Sequence, residues 1–154
     1  MNEKLLKRAI ELARQNIGKG GGPFGAIIVK DGEIIAEESN QVTPKIDPTA
    51  HAEILAIRSA AKKLGTWHLD GCELYTSCEP CPMCMGAVYW AHIDKVYYAA
   101  THDDAKEAGF DDADMYNELK LPREERKIPM ETAFREESLE VFQKWKATEE
   151  KKSY

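Results

Sequence analysis

The residues best suited to chemistry form two short motifs near the middle of the chain. The first is His51-Ala52-Glu53, and the second, whose first cysteine follows His51 by thirty positions, is Pro80-Cys81-Pro82-Met83-Cys84. Cys81 and Cys84 stand at i and i+3, so on a helix they share a face and can bind one ion about 2.3 Å from each sulfur. A helix start also favours the thiolates that zinc requires. His51 would complete a His-Cys-Cys set, so we predict one zinc ion per subunit with a water molecule at the fourth position.

The carboxylate beside the histidine suits a second role. Glu53 lies two residues beyond His51, roughly 200° around an ideal helix, so spacing alone does not aim both side chains at one point. The first turn of a helix that faces a cleft could do so. There Glu53 would act as a base that does not bind the metal. It would take a proton from the zinc-bound water, leaving hydroxide, and return that proton to a leaving group.

The other cysteines and histidines leave alternatives open. Cys78 stands three residues before Cys81 and could be a fourth ligand of a closed structural zinc site, although such a site would not need Glu53. A redox Cys-x-x-Cys pair is another alternative, but it does not require the upstream His-x-Glu motif. Cys72 is expected to be a small apolar residue of the core. The remaining histidines have no partner at ligand spacing and are expected to be surface or hydrogen-bonded residues: His68, His92 and His102.

Alternating helices and strands must position these motifs. Apolar residues at i+4 spacing predict an amphipathic helix that ends near Gly18. Asp31-Gly32, between two apolar stretches, predicts a β-hairpin. Asp47-Pro48 resembles a capping residue followed by proline at the first helical position, and predicts a helix from about Pro48 to Leu64.

The remaining pattern completes an α/β domain. A strand is expected over Glu73–Thr76, a helix from the Cys-Pro segment to about Tyr89, and a strand over Lys95–Ala100. A hairpin followed by helix, strand, helix and strand predicts a three-layer α/β/α fold with right-handed crossovers. Weaker signals after these elements predict two short helices, an edge strand and a charged last helix: Asp103–Ala108, Asp114–Leu119, Glu131–Phe134 and Leu139–Lys151.

Composition bounds the class of protein. The 154 residues are 43% hydrophobic and 31% charged, which predicts a single globular domain over residues 1–154. Lys+Arg 21 against Asp+Glu 27 gives a net charge of -6, which argues against a broad nucleic-acid surface. The sequence lacks an apolar signal segment and a membrane-length run, so we expect a cytoplasmic protein without a membrane partner.

The two motifs together resemble the cytidine deaminase-like superfamily of zinc hydrolases, whose signature is H-x-E followed by P-C-x-x-C. More narrowly, Gly22–Ala26, Cys78–Trp90 and Ala108–Asp112 resemble bacterial guanine deaminases. The resemblance implies hydrolysis of guanine to xanthine and ammonia, and a central mixed five-stranded sheet between helices. It also implies a homodimer, with the zinc ligands His51, Cys81 and Cys84 and with Glu53 as the proton shuttle.

The pocket for such a substrate is predicted from fewer residues. Guanine presents N1–H and its 2-amino group as donors, so the pocket needs an acceptor. Asp112, implied by the resemblance, and Asn40 are the candidates, while Phe24 and Phe110 offer ring faces. Trp90 is either a pocket residue or a core aromatic.

The C-terminal segment 137–154 has two interpretations. Its aromatic residues, among them Tyr154, either belong to a frayed amphipathic helix or form a lid over the zinc cleft. A lid could act within one subunit or be exchanged with a partner copy.

Several rival functions share the zinc motifs. A guanosine deaminase would differ from a guanine deaminase only in having room for the ribose, which the sequence does not show. Cytosine deaminases differ more in the segment that follows the second zinc motif. A tRNA adenosine deaminase should carry a basic face, whereas here the C-terminal lysines alternate with glutamates. A zinc-stabilised interaction module would not need Glu53. The partner that we expect is therefore a small purine base.

Overall fold

The computed structural model describes residues 1–110 and 113–152. The chain divides into two compact units, Met1–Asp114 and Met115–Tyr154. The first unit contains these elements in chain order: α1 (Glu3–Ile17), β1 (Gly25–Lys30), β2 (Glu33–Ser39), α2 (Val42–Lys45), α3 (Ala52–Leu64), β3 (Cys72–Cys78), α4 (Pro82–Trp90), β4 (Lys95–Ala100) and α5 (His102–Glu107).

A mixed sheet is the centre of the first unit. Its strand order is β2-β1-β3-β4. Strand β1 runs antiparallel to β2 and β3, and β3 runs parallel to β4. The predicted mixed sheet is confirmed, but within the described ranges it has four strands and not five. The hairpin at Asp31-Gly32 is confirmed as well, since φ is 50° and 82° at these residues, as a two-residue turn of type I′ requires.

Helices cover both faces of this sheet, which confirms the three-layer arrangement. Successive residues of β1 point to opposite faces. Ile27 packs with Ala9 of α1 on one side, whereas Ile28 packs with Ala56 of α3 and Val88 of α4 on the other. The small side chains of α3 allow that helix to lie close to the sheet, and so bring its first turn to the carboxyl end of β3.

The start of α3 differs from the prediction. Asp47 caps a local turn, because its carboxylate accepts hydrogen bonds from the amide and the hydroxyl of Thr49 at 2.8 and 2.7 Å. The Asp47-Pro48 pair therefore belongs to a turn, and the helix begins only at Ala52. His51 becomes the N-cap residue, with extended backbone angles of φ -67° and ψ 153°.

The second unit is helical in its described part. It contains most of α6 (Ala113–Lys120), a 3-10 turn at Arg123–Glu125, and α7 (Arg135–Ala147). The predicted edge strand at Glu131–Phe134 is wrong, because this segment has no regular structure. None of the described helices is long and apolar enough to cross a membrane.

Candidate active site

Two helix starts bring the three predicted metal ligands together. His51 is the N-cap of α3, Cys81 is the N-cap of α4, and Cys84 lies in the first turn of α4. The Nδ1 atom of His51 lies 3.6 Å from the Sγ atoms of both Cys81 and Cys84. A nitrogen and a sulfur bound to one tetrahedral zinc ion are expected to lie about 3.6 Å apart. The ligand types and their spacing therefore fit zinc.

The two thiols differ in acidity. The adjacent Cys84 side chain, the His51 ring and the Cys84 amide together lower the pKa of Cys81 to about 4. The pKa of Cys84 is raised because its thiol interacts with the Cys81 side chain, is buried, and lies beside the Glu53 carboxylate. A bound divalent cation offsets that repulsion, so both sulfurs can serve as thiolates in the metal site.

The catalytic candidate Glu53 lies against this cluster. Its side chain is buried, with 5% of the residue exposed. One carboxylate oxygen accepts from the Thr76 hydroxyl at 3.3 Å, and the other accepts from the Cys84 thiol at 3.6 Å. Burial raises the pKa of Glu53, with the Cys81 charge acting in the same direction. His51 and Glu53 reach one site because His51 has extended and not helical backbone angles.

The other cysteines lie outside the cluster. Cys78 is buried, and its thiol donates to the carbonyl of Thr101 at 3.4 Å. In the described ranges, the group of metal-binding side chains at this place consists of His51, Cys81 and Cys84. Cys78 is therefore not a member of this group, and the geometry does not support a closed four-ligand zinc site. Cys72 is fully buried in the core, as predicted.

Two of the predicted substrate contacts meet near the same end of the sheet. The rings of Phe24 and Phe110 touch edge to face, with centroids 4.9 Å apart. Asn40 is buried and accepts at Oδ1 from the amides of Gly22 and Val42, at 3.4 and 3.2 Å. Since both partners are N–H donors, the oxygen must face them, and the Nδ2 donor of Asn40 has no hydrogen-bond partner among the described residues. The acceptor role predicted for Asn40 is therefore already taken by the backbone.

Of the remaining predicted contacts, the structure describes Trp90, which it places away from the cluster. Trp90 is the last residue of α4 and is 63% exposed. At 1.5 Å per residue it lies about 9 Å along the helix from Cys84. Asp112 and Tyr154 lie outside the described residues.

A hydrogen-bonded pair next to the cluster has no signal in the sequence spacing. Glu79 accepts from the ring of His102 at 2.8 Å and from its backbone amide at 3.3 Å. The pair fastens the segment before Cys81 to the start of α5. His102 is thus a hydrogen-bonded residue, as predicted, but its partner lies too far away in sequence for spacing to find it.

A second group of metal-capable side chains lies elsewhere in the first unit. His68, Asp70 and His92 have ligand atoms within 4.8 Å of one another, which the sequence spacing did not predict. The two histidine rings are stacked, with centroids 4.2 Å apart and planes 13° apart. The lone pairs of parallel rings lie in parallel planes and do not converge on one ion. His92 is exposed, whereas His68 is half-buried and its Nε2 is enclosed without a hydrogen-bond partner among the described residues, so His68 is not the surface or hydrogen-bonded residue that was predicted.

Comparison with known proteins decides the family. Residues 1–100 match the cytidine and deoxycytidylate deaminase zinc-binding region. The chain belongs to this deaminase family. It is 57% identical over 154 residues to the guanine deaminase of Bacillus subtilis (strain 168), with 99% of each protein covered. It is 42% identical over 140 residues to a tRNA-specific adenosine deaminase of Aquifex aeolicus, covering 91% of this chain and 90% of that protein.

A solved structure shows the same relationship. The X-ray structure of the guanine deaminase from Bacillus subtilis superposes with a TM-score of 0.96 and 58% identity, over 100% of this chain and 99% of that one. Similarity of this extent includes the C-terminal segment as well as the zinc motifs.

Proposed function

We propose that the protein is a zinc-dependent guanine deaminase that hydrolyses guanine to xanthine and ammonia. The observation that carries this proposal is a His51–Cys81–Cys84 cluster beside the buried Glu53. This site lies in a chain that is 57% identical to a guanine deaminase along its whole length. The tRNA-specific relative matches less of the chain at lower identity.

The reaction needs an activated water and a proton carrier. His51, Cys81 and Cys84 would hold the zinc ion, which would supply a Lewis acid that lowers the pKa of a bound water towards about 7. Water adds its oxygen to C2 of guanine, and the bond from C2 to the amino nitrogen breaks. Glu53 takes one proton from the water and gives it to the ring nitrogen N3 as the oxygen adds to C2. It then carries the remaining proton of the added hydroxyl to the departing nitrogen, so that ammonia and not its anion leaves and the oxygen stays as the new carbonyl of xanthine. Burial raises the pKa of Glu53 and so favours the protonated state that this delivery requires.

Residues at the same end of the sheet would hold the purine. Phe24 and Phe110 offer ring faces and edges, and Asn40 offers an amide donor that suits an acceptor atom of guanine. Asp112 stays our candidate for accepting from N1–H and the 2-amino group. Trp90 and Tyr154 stay predictions from the family resemblance.

The second unit supports a proposed homodimer. Helix α7 has no buried residue, although it carries several large apolar side chains that are 46% to 67% exposed: Val141, Phe142 and Trp145. Exposed apolar surface of this kind is typical of an interaction site. We propose that a second copy covers it, with the segment 137–154 acting as a lid within or between subunits. A location in the cytoplasm stays a prediction.

Ammonia release from a substrate panel tests the function. Purified, zinc-loaded protein is incubated separately with guanine, guanosine, cytosine, cytidine, adenine and a tRNA carrying adenosine at the wobble position. We expect release from guanine to exceed release from each other substrate by at least about a hundredfold, which corresponds to about 2.7 kcal/mol of discrimination. Release from guanosine or tRNA without release from guanine would replace the proposal by that rival.

The lid is tested by deleting residues 150–154 and measuring turnover of guanine together with the molar mass in solution. We expect a lower turnover in the truncated protein and a mass of two chains for the full-length protein. Unchanged kinetics would contradict the lid, and a mass of one chain would contradict the dimer.

A further inference from the structure

A buried asparagine near the end of α1 has no role in the chemistry described above. Asn16 is 1% exposed. An amide side chain is costly to bury unless its donors and acceptor are satisfied. Its position in a helix that otherwise packs apolar residues on the sheet therefore needs an explanation.

The amide of Asn16 joins three segments of the chain. Its Nδ2 donates to the carbonyls of Gly22 and Asn40, at 2.8 and 2.7 Å. Its Oδ1 accepts from the Ser39 hydroxyl at 3.1 Å and from the Gln41 side chain at 3.4 Å. Both N–H groups and both lone pairs are thereby used, so the orientation of the amide is fixed.

These bonds hold a segment that is itself hydrogen-bonded to Phe24 and to Ala50, the residue before His51. The Asn40 amide donates to the Phe24 carbonyl at 3.0 Å, and the Gln41 amide donates to the Ala50 carbonyl at 2.9 Å. Asn40 thus lies between the loop that carries Phe24 and the turn that leads into His51. Its Nδ2 donor makes no hydrogen bond within residues 1–110 and 113–152.

The packing around Asn16 allows little adjustment. A Cβ atom at Gly21 would overlap the Asn16 side chain and the Asn40 carbonyl. A Cβ atom at Gly22 would lie 3.2 Å from Asn40 Oδ1 and 3.4 Å from the Phe24 ring. Glycine at both positions lets the loop close over the asparagine and sets the distance between Phe24 and Asn40.

We propose that Asn16 is a positioning residue for purine binding, which fixes the Asn40 amide and the Phe24 loop in the orientation that receives the substrate. The proposal rests on the guanine deaminase function proposed above. Because Asn16 acts on substrate contacts and makes none of these hydrogen bonds to a zinc ligand, its loss should raise KM more than it lowers kcat.

The test compares wild type with N16A, N40A, the N16A/N40A double variant and N2A, using guanine as substrate and measuring zinc content and Tm. We expect N16A to raise KM by about tenfold, as loss of a buried hydrogen bond does, with kcat within about threefold and one zinc per chain. We expect N40A to raise KM similarly, and the double variant to exceed N40A by less than about twofold, since Asn16 acts through Asn40.

Asn2 provides the matched control on the same helix. Its side chain caps α1 by accepting from the Lys4 amide at 3.1 Å, so N2A should lower the Tm and leave KM unchanged. A KM in N16A within about twofold of wild type, or an equal rise of KM in N2A, would overturn the proposal.

A milder variant covers the case in which N16A does not fold. S39A removes one donor to Asn16 Oδ1, and we expect it to raise KM by two- to threefold, roughly the effect of a weak hydrogen bond. An unchanged KM in S39A would then overturn the proposal. Failure of wild type to turn over guanine in the same assay would instead refute the proposed function.

Discussion

Replacement of Glu53 by glutamine separates proton transfer from every other property of the site. Glutamine has nearly the same shape, and its oxygen can still accept from the Thr76 hydroxyl, which lies 3.3 Å from the carboxylate. The side-chain amide cannot take a proton from water at neutral pH. E53Q therefore keeps the packing of α3 and removes the base.

The size of the effect follows from the two transfers assigned to Glu53. A positioned general acid or base contributes typically about 10²- to 10⁴-fold to rate. Glu53 is 5% exposed, so bulk water has little access through which to replace it in either transfer. We expect kcat to fall by at least about 10³-fold, or about 4 kcal/mol in the barrier. Zinc content should stay at one per chain, because the three ligands are unchanged.

The assay is steady-state turnover of guanine, with zinc measured by mass spectrometry on the same samples. E73Q is the matched control. Glu73 lies on strand β3, where it accepts from the hydroxyls of Tyr75 and Tyr97 at 2.9 and 3.4 Å, and it has no contact with the three metal-binding side chains in the described ranges. We expect E73Q to keep kcat within about threefold. The reasoning would be refuted if E53Q, with zinc bound, retained more than a tenth of the wild-type rate.

The remaining predictions concern the metal, the glycine loop and one ion pair. C84S should lose stoichiometric zinc binding, whereas C78S should keep it because the Cys78 thiol donates to a backbone carbonyl outside the cluster. The measurement is the number of zinc ions bound per chain, and loss of zinc in C78S would contradict the three-ligand site. G21A should destabilise the fold by about 1–3 kcal/mol, since its Cβ overlaps buried neighbours; denaturant unfolding measures this, and a change below about 0.5 kcal/mol would contradict the packing. The Arg8 guanidinium lowers the pKa of the Glu37 carboxyl from 4.5, so the stabilisation is present above that pH and lost as the pH falls through the lowered value. R8A should therefore lower the Tm at pH 7, by an amount that corresponds to under about 1 kcal/mol of unfolding free energy, and leave the Tm unchanged at strongly acid pH. An equal drop in Tm at both pH values would show that loss of the Arg8–Glu37 ion pair does not cause the destabilisation.

The zinc ligands could be predicted from the sequence because their signal is local. Cys81 and Cys84 share a helical face at i and i+3, and the geometry brings both to His51. The position of Glu53 was harder, since an ideal helix points it away from His51. In the structure His51 is the N-cap residue and has an extended backbone, so its side chain does not follow the 100° rotation per residue of a helix. This is why both side chains reach the same site.

Features that depend on partners distant in the chain could not be predicted from the sequence. The Asp47-Pro48 pair has the composition of a helix start, but the carboxylate of Asp47 caps a tighter turn at Thr49 instead. The segment Glu131–Phe134 has the composition of a strand, but a strand forms only where another edge pairs with it. Asn16 carries no local signal at all, because its four partners come from residues 22 to 41.

Incubation of the zinc-loaded protein with guanine in ¹⁸O-labelled water tests the central claim most directly. Hydrolysis at C2 places one oxygen from water in the product and releases one ammonia for each guanine consumed. We predict xanthine that carries one ¹⁸O atom, together with an equal amount of ammonia, and formation of both products at least about 10³-fold slower in E53Q. Guanine left intact by wild-type protein with a full complement of zinc would contradict the account.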